Sequence, residues 1–270
     1  MALTAFQRDI CRLLADHRIR SGESYVAGGA ALNELLRTPR RSRDLDLFHD
    51  SRQALESAWQ ADRESLSQAG LEVSVVRERP GFVEAEVRRG TDSVRLEWAQ
   101  DSAYRFFPLV LHDELGLVLH PFDLATNKVL ALVGRVEARD FVDTLACDRA
   151  IQPFGYLAWA ACGKDPGFSP MSILEHAARA SRYSQAELSS LDFDGSPPDA
   201  AELSRRWHAA LEDARSIVGL LPPEQAGRAV LAMDGQLFRG GPEELREAIA
   251  CRGLAYHEGR IRGAFPRLLE

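Results

Sequence analysis

The sequence predicts an α/β (α+β) chain, with a mixed sheet flanked by helices in its first half and a helical C-terminal region after it. Three observations predict this. Short runs of alternating character, such as Ser24–Ala27 (SYVA) and Asp44–Phe48 (DLDLF), are interspersed with segments whose apolar residues recur at helical spacing. Three further strand-like runs follow closely between Leu71 and Gln100, with Pro80-Gly81 and Gly90 at their turns, as hairpins require. Beyond Pro153 the apolar spacing is mostly helical. The expected division is therefore a core domain over residues 1–120 and a helical region over residues 121–270.

Taken in order, Ala5 to Arg20 reads as an amphipathic helix with Phe6, Ile10, Leu13, Leu14 and Ile19 near one face. The short strand Ser24–Ala27 runs directly into Gly28-Gly29 and a second helix from Ala30 to Leu36. Arg37–Arg43 (RTPRRSR) is a polar loop. Asp44–Phe48 follows as a half-buried strand, then a helix from Ser51 to Gln68. Strands are expected over Leu71–Arg77, Phe82–Arg88 and Ser93–Gln100, with a further strand or hairpin over Leu109–Leu119. Asp123 stands where an N-cap belongs for a helix over Leu124–Val133, and another helix spans Glu137–Ala150. Breaks in the helical region fall at Gly163–Pro170, Asp192–Pro198 and Asp234–Pro242.

Composition narrows the function. The 270 residues are 45% hydrophobic and 27% charged, the make-up of an ordinary globular protein. No window holds the ~20 apolar residues that span a bilayer, so no membrane is expected as a partner. Cys11, Cys147, Cys162 and Cys251 lie far apart, with no CxxC pair, which fits a reduced cytoplasmic protein. The net charge of −7 argues against general coating of nucleic acid, which rests on neutralising phosphates, but leaves room for a local basic patch. The cations are nearly all arginine; Lys128 and Lys164 are the only lysines.

Three features carry the chemistry. Paired glycines at the start of a helix, Gly28 and Gly29, let the backbone approach a phosphate, and the free N–H groups there attract an anion; a packing or turn role is the plainer alternative. Asp44 and Asp46 are two apart on a strand, so both carboxylates project from one face while Leu45 and Leu47 enter the core. Two neighbouring carboxylates repel each other unless a cation lies between them, and hard oxygen ligands suit Mg²⁺; otherwise they are solvated acids on a strand edge. Glu97, between apolar neighbours on a later strand, is a third acid able to complete a metal clamp or to face outward, and Asp101 competes for the role. Arg37, Arg40, Arg41 and Arg43 cluster just before the acidic strand, either as a solvated loop or as a guide for an anionic substrate.

The order Gly-Gly, acid-apolar-acid, apolar-acid-apolar resembles the polymerase-beta-like nucleotidyltransferase superfamily. Fourteen residues separate Gly29 from Asp44, slightly more than in its compact members. Two stretches bring the resemblance closer. GGAALNELLRTPRRSRDLDLF (Gly28–Phe48) and DLATNKVLALVGRVEARDFVDTLA (Asp123–Ala146) are similar to two motifs of the AbiEii/AbiGii-type nucleotidyltransferase toxins. The likeness covers about residues 24–150.

The resemblance implies a nucleotidyltransferase core plus a helical region. It also implies Mg²⁺ held by Asp44, Asp46 and Glu97, and a triphosphate cradled by Gly28, Gly29 and Ser42. Lys128 would neutralise phosphate charge, and Asp140 would be a polar residue of the cleft. Read from the residues alone, Lys128 and Arg135 are seven apart and share a helix face. Arg139-Asp140 can equally be an ion pair bracing two helices, with Asp143 then the functional acid. The activity implied is transfer of a nucleotide from a nucleoside triphosphate to an acceptor hydroxyl, in some members the tRNA 3′ end, by a toxin with a cognate antitoxin or in phage defence. A small-molecule or protein acceptor, or a non-catalytic nucleotide- or RNA-binding role, are the other classes open.

Overall fold

The computed structural model describes residues 3–179 and 182–266, and local chemistry sets its elements from the first turn. The Thr4 hydroxyl accepts from the Gln7 N–H at 3.1 Å while the Gln7 side chain accepts from the Thr4 N–H at 2.8 Å. That reciprocal cap starts α1 (Ala5–Ser21), which Gly22 ends in the left-handed region. Strand β1 (Ser24–Ala27) leads into α2 (Gly28–Leu36), and β2 (Asp44–His49) into α3 (Arg52–Gln68), capped by the Ser51 hydroxyl. Next come β3 (Glu72–Arg79), β4 (Phe82–Arg89) and β5 (Asp92–Gln100), then β6 (Tyr104–Arg105), β7 (Val110–His112) and β8 (Gly116–Val118). The expected strand or hairpin over Leu109–Leu119 is the β7–β8 hairpin.

The chain divides into two compact units that exchange short segments. The first holds Met1–Ala103, Pro108–His120 and Asp192–Gly195. Its seven-stranded mixed sheet has the order β3-β4-β5-β2-β1-β8-β7. β2 runs antiparallel to β1 and parallel to β5, and β4 is antiparallel to both β3 and β5. Burial alternates along β2, as the DLDLF pattern requires. Leu45 and Leu47, with Leu96, Trp98, Val83, Ala85 and Val87 of the neighbouring strands, are buried on one face, where α1 and α3 pack on the sheet. Each such side chain contributes about 1.5–3 kcal/mol by leaving water, which fixes which residues of β2 face the other way.

Behind the same strands lies a buried polar group. The Asp62 carboxylate accepts from the Trp98 indole N–H at 2.8 Å, and His49 Nδ1 and Ser24 Oγ share a hydrogen bond at 2.8 Å. Arg18, fully buried, donates from Nη2 to the carbonyls of Cys11 and Leu115 at 3.0 and 3.3 Å. Burial, then Arg18 and His17 on α1, push the His49 imidazole down to about 3, so it is neutral at physiological pH.

The second unit holds Tyr104–Phe107, Pro121–Leu191 and Ser196–Glu270. Its helices are α4 (Pro121–Arg135), α5 (Ala138–Ala150), α6 (Phe154–Ala161), α7 (Pro170–Arg179), α8 (Gln185–Ser189), α9 (Ala200–Leu220) and α10 (Pro242–Ala250). Within this mostly helical region β9 (Ala229–Ala232) pairs antiparallel with β10 (Leu254–His257), and β11 (Arg260–Ile261) pairs with β6. A four-residue apolar run such as AVLA carries too little periodicity to distinguish strand from helix. One expectation is corrected here, at Asp123. It does not cap α4, which begins at Pro121. Instead its buried carboxylate accepts the Phe106 and Phe107 N–H groups at 2.9 and 3.0 Å and pairs with Lys164 at 2.8 Å.

Among the described residues, no helix is long and apolar enough to cross a membrane. The cysteines are free thiols, and Trp98, Trp159 and Trp207 are core residues, as their sequence contexts suggest.

His49 gives a pH test of this core. Its affinity for a proton is lower folded than unfolded, so the unfolded chain binds more protons between about pH 6.5 and about pH 3. Its contribution to stability is fully present above that window and is lost as pH falls through it, by at most about 1.4 kcal/mol per pH unit. In urea titrations at pH 7, 5.5 and 4.5, His49→Gln should therefore close its stability deficit against the wild type as pH falls. A constant deficit would show that His49 is not held neutral.

Candidate active site

The site is built where β1 turns into α2. Ala27, the last residue of β1, sits opposite Asp46 in the antiparallel register with β2. Gly28 then takes a left-handed φ of 66°, and a Cβ placed on it would lie 1.6 Å from Asp46 Oδ2. Only glycine fits, on grounds of both backbone conformation and space. A Cβ on Gly29 would lie 2.6 Å from Arg40 Nη2 and 3.2 Å from Ser42 Oγ. Ala27 provides no side-chain cap for α2, and Asp46, Arg40 and Ser42 crowd its first two residues. Such a helix start favours an anion.

The acids converge through sheet register. Asp44 and Asp46 alternate with the buried leucines and share the opposite face of β2. The parallel pairing with β5 puts Glu97 directly beside Asp46, and Arg95 beside Asp44. The Glu97 carboxyl is held above its ordinary range by partial burial first, then by Asp46, Asp44 and Glu84, with Arg95 opposing them. Asp101 lies beyond the end of β5, where its N–H donates to the His49 carbonyl at 3.0 Å and its carboxylate caps Ser102 N–H at 2.8 Å. Register thus brings Glu97, rather than Asp101, to the acidic pair.

Sequence reasoning missed Glu84. It is the cross-strand partner of Glu97 on β4, buried, with Arg95 at 3.2 Å and Arg77 at 3.8 Å from its carboxylate. The signal was the β4–β5 register, which the hairpin turn at Gly90 sets but the motif order does not reveal.

Asp44, Asp46 and Glu97 form a set of hard oxygen donors on one face, with Gly28 lacking any atom that would fill the space beside Asp46. Among the described residues, no group of three or more His, Cys, Asp or Glu side chains is placed to hold a metal ion by itself. Mg²⁺ in general takes one or two carboxylates together with waters and substrate phosphates.

Lys128 and Asp140 belong to the second unit and meet there. Lys128 Nζ is buried 3.1 Å from both Asp140 Oδ1 and Asp143 Oδ2, and Arg135 reaches Asp140 at 3.2 Å. The shared face of Lys128 and Arg135 is real, and it closes on α5. Of the two roles open for Arg139-Asp140, the ion pair between those neighbours is not the one seen: Arg139 pairs with Glu137 at 2.6 Å, and Asp140 with Lys128 and Arg135. Lys128 is therefore no solvated helix residue but the centre of a buried ion network.

The arginine loop also separates by role. Arg37 takes the left-handed C-cap position of α2, Arg40 is buried at 4% exposure against Gly29, and Arg41 pairs with Asp194 at 2.9 Å.

Two substitutions test these placements. Gly28→Ala forces a side chain into the Asp46 carboxylate from a left-handed backbone, and should cost about 1–2 kcal/mol of stability while weakening any Mg²⁺ binding by calorimetry. Lys128→Met leaves two buried carboxylates facing each other and should cost roughly 3–5 kcal/mol in urea denaturation, a loss that Arg139→Ala would not reproduce.

No family model matches the chain, and no curated protein sequence matches it. Solved structures do. One, a candidate nucleotidyltransferase from H. pylori, superposes with a TM-score of 0.54 at 14% identity, covering 82% of this chain and 99% of that one. JHP933 from Helicobacter pylori gives a TM-score of 0.51 at 14% identity, covering 80% of this chain and 95% of that one. The chain thus has a mixed seven-stranded sheet flanked by helices that is similar to a nucleotidyltransferase fold.

Proposed function

We propose that the chain is a Mg²⁺-dependent nucleotidyltransferase that moves a nucleotide from a nucleoside triphosphate to an acceptor hydroxyl. The observation that carries this reading is Gly28 in its left-handed turn against Asp46, with Asp44 and Glu97 on the same sheet face. An anion-attracting helix start and a carboxylate set meet at one point, which is what a triphosphate with its cation requires.

Asp44, Asp46 and Glu97 would hold Mg²⁺, which supplies charge neutralisation at the triphosphate and acidifies the acceptor hydroxyl. The first turn of α2, with Gly28, Gly29 and Ser42, binds the phosphates and holds the α-phosphorus in line with the acceptor oxygen. That oxygen bonds to the α-phosphorus as the bond to pyrophosphate breaks. Glu97, with its raised proton affinity, takes the hydroxyl proton at its carboxylate. Lys128 lies in the second unit as the positive member of the Lys128–Asp140–Asp143 network, and a phosphate is the ligand chemistry that a lysine suits.

The acceptor we favour is the tRNA 3′ end, in a toxin restrained by a cognate antitoxin protein. This rests on the likeness of Gly28–Phe48 and Asp123–Ala146 to the AbiEii/AbiGii-type motifs. The net charge of −7 favours the second reading, a small-molecule or protein acceptor.

The test is incubation with Mg²⁺, each nucleoside triphosphate labelled at the α-phosphate, and total tRNA, with Asp46→Asn as control. Label should enter tRNA with the wild type and fall by at least about 100-fold in the variant. Label on protein would replace the tRNA reading with protein modification, and equal label in both proteins would remove Asp46 from the site.

A further inference from the structure

The loop between α2 and β2 has no regular structure of its own, yet it carries both Arg40 and Ser42 to Gly29. It is held from two sides. From α1, Gln7 Nε2 donates to the Ser42 carbonyl at 2.8 Å. From the other side comes a segment far away in sequence, Asp192–Asp194. The Arg41 N–H donates to the Asp192 carbonyl at 2.9 Å, and the Asp194 N–H donates to the Pro39 carbonyl at 2.6 Å. Between those two bonds Arg40 and Phe193 form an isolated antiparallel bridge, and Arg41 and Asp194 close it with an ion pair at 2.9 Å.

We propose that Asp192–Asp194 is a positioning strap for the nucleotide cradle. It pins the main chain on both sides of Arg40, so that the Arg40 guanidinium, rather than its more exposed neighbours, is held at Gly29, where a phosphate of the triphosphate would meet it. This rests on the nucleotide-site reading above. The chemistry supports it in two ways. The guanidinium is buried beside the first turn of α2, and both it and the helix start favour a phosphate group. A loop fixed beforehand also loses less freedom when the ligand binds, so the strap converts main-chain hydrogen bonds into nucleotide affinity. Binding and strap engagement are then coupled, each strengthening the other by the same factor.

The coupling is read with the full chain, Mg²⁺ and a non-hydrolysable nucleoside triphosphate analogue. Asp194→Pro removes the N–H that donates to Pro39, whereas Asp194→Asn keeps that N–H and removes the side-chain charge that pairs with Arg41. Asp194→Pro should weaken analogue binding about tenfold, and Asp194→Asn less than about threefold. In the wild type, adding the analogue should slow hydrogen exchange at the Arg41 and Asp194 amides, a readout that needs no variant and does not depend on how Asp194→Pro folds. Wild-type binding with unchanged exchange at those amides, or wild-type affinity in a folded Asp194→Pro protein, overturns the strap. No binding by the wild type overturns the nucleotide site itself, and the strap's role with it.

Discussion

Everything at the acidic face depends on the register between β2 and β5. Asp46 and Glu97 are side by side because Leu45, Leu47, Leu96 and Trp98 are buried together on the reverse of the same two strands. Like charges would not choose that arrangement. The apolar residues between them impose it, since a slip of one residue would expose the leucines and bury the acids. The repulsion is still visible in the raised proton affinity of Glu97, to which Asp46 and Asp44 both contribute. Hydrophobic burial on one face thus holds like charges close together on the other.

Positive charge is distributed just as unevenly. In the first unit Arg95 and Arg77 are drawn to the buried Glu84, the cross-strand neighbour of Glu97. In the second unit Lys128 and Arg135 are consumed by Asp140 and Asp143, where both acids are fully buried. Loss of function after changing Lys128 therefore has two sources, a lost charge and a weakened fold. Only a stability measurement alongside separates them.

Much of this was legible in the sequence, for reasons that belong to particular residues. The DLDLF alternation is a strand because two acids and two leucines cannot otherwise be sorted between water and core, and the Gly28-Gly29 turn announces itself because few other sequences pass from strand to helix so abruptly. Long amphipathic helices were equally plain. What escaped was information carried by pairing rather than pattern. Glu84 joins Glu97 only through hairpin register, and Asp123 serves Phe106 and Phe107 instead of its own helix. The strap at Asp192–Asp194 read only as a break, because its partners lie at Pro39 and Arg41, a separation no local spacing encodes.

The interleaving of the two units has a consequence in time. Chains leave the ribosome from the N-terminus, and the sheet that bears the acids is complete once β8 has emerged. Its last piece, Asp192–Gly195, comes only after most of the following helices have been made. A nascent chain therefore displays its carboxylates well before the loop opposite them is tied down.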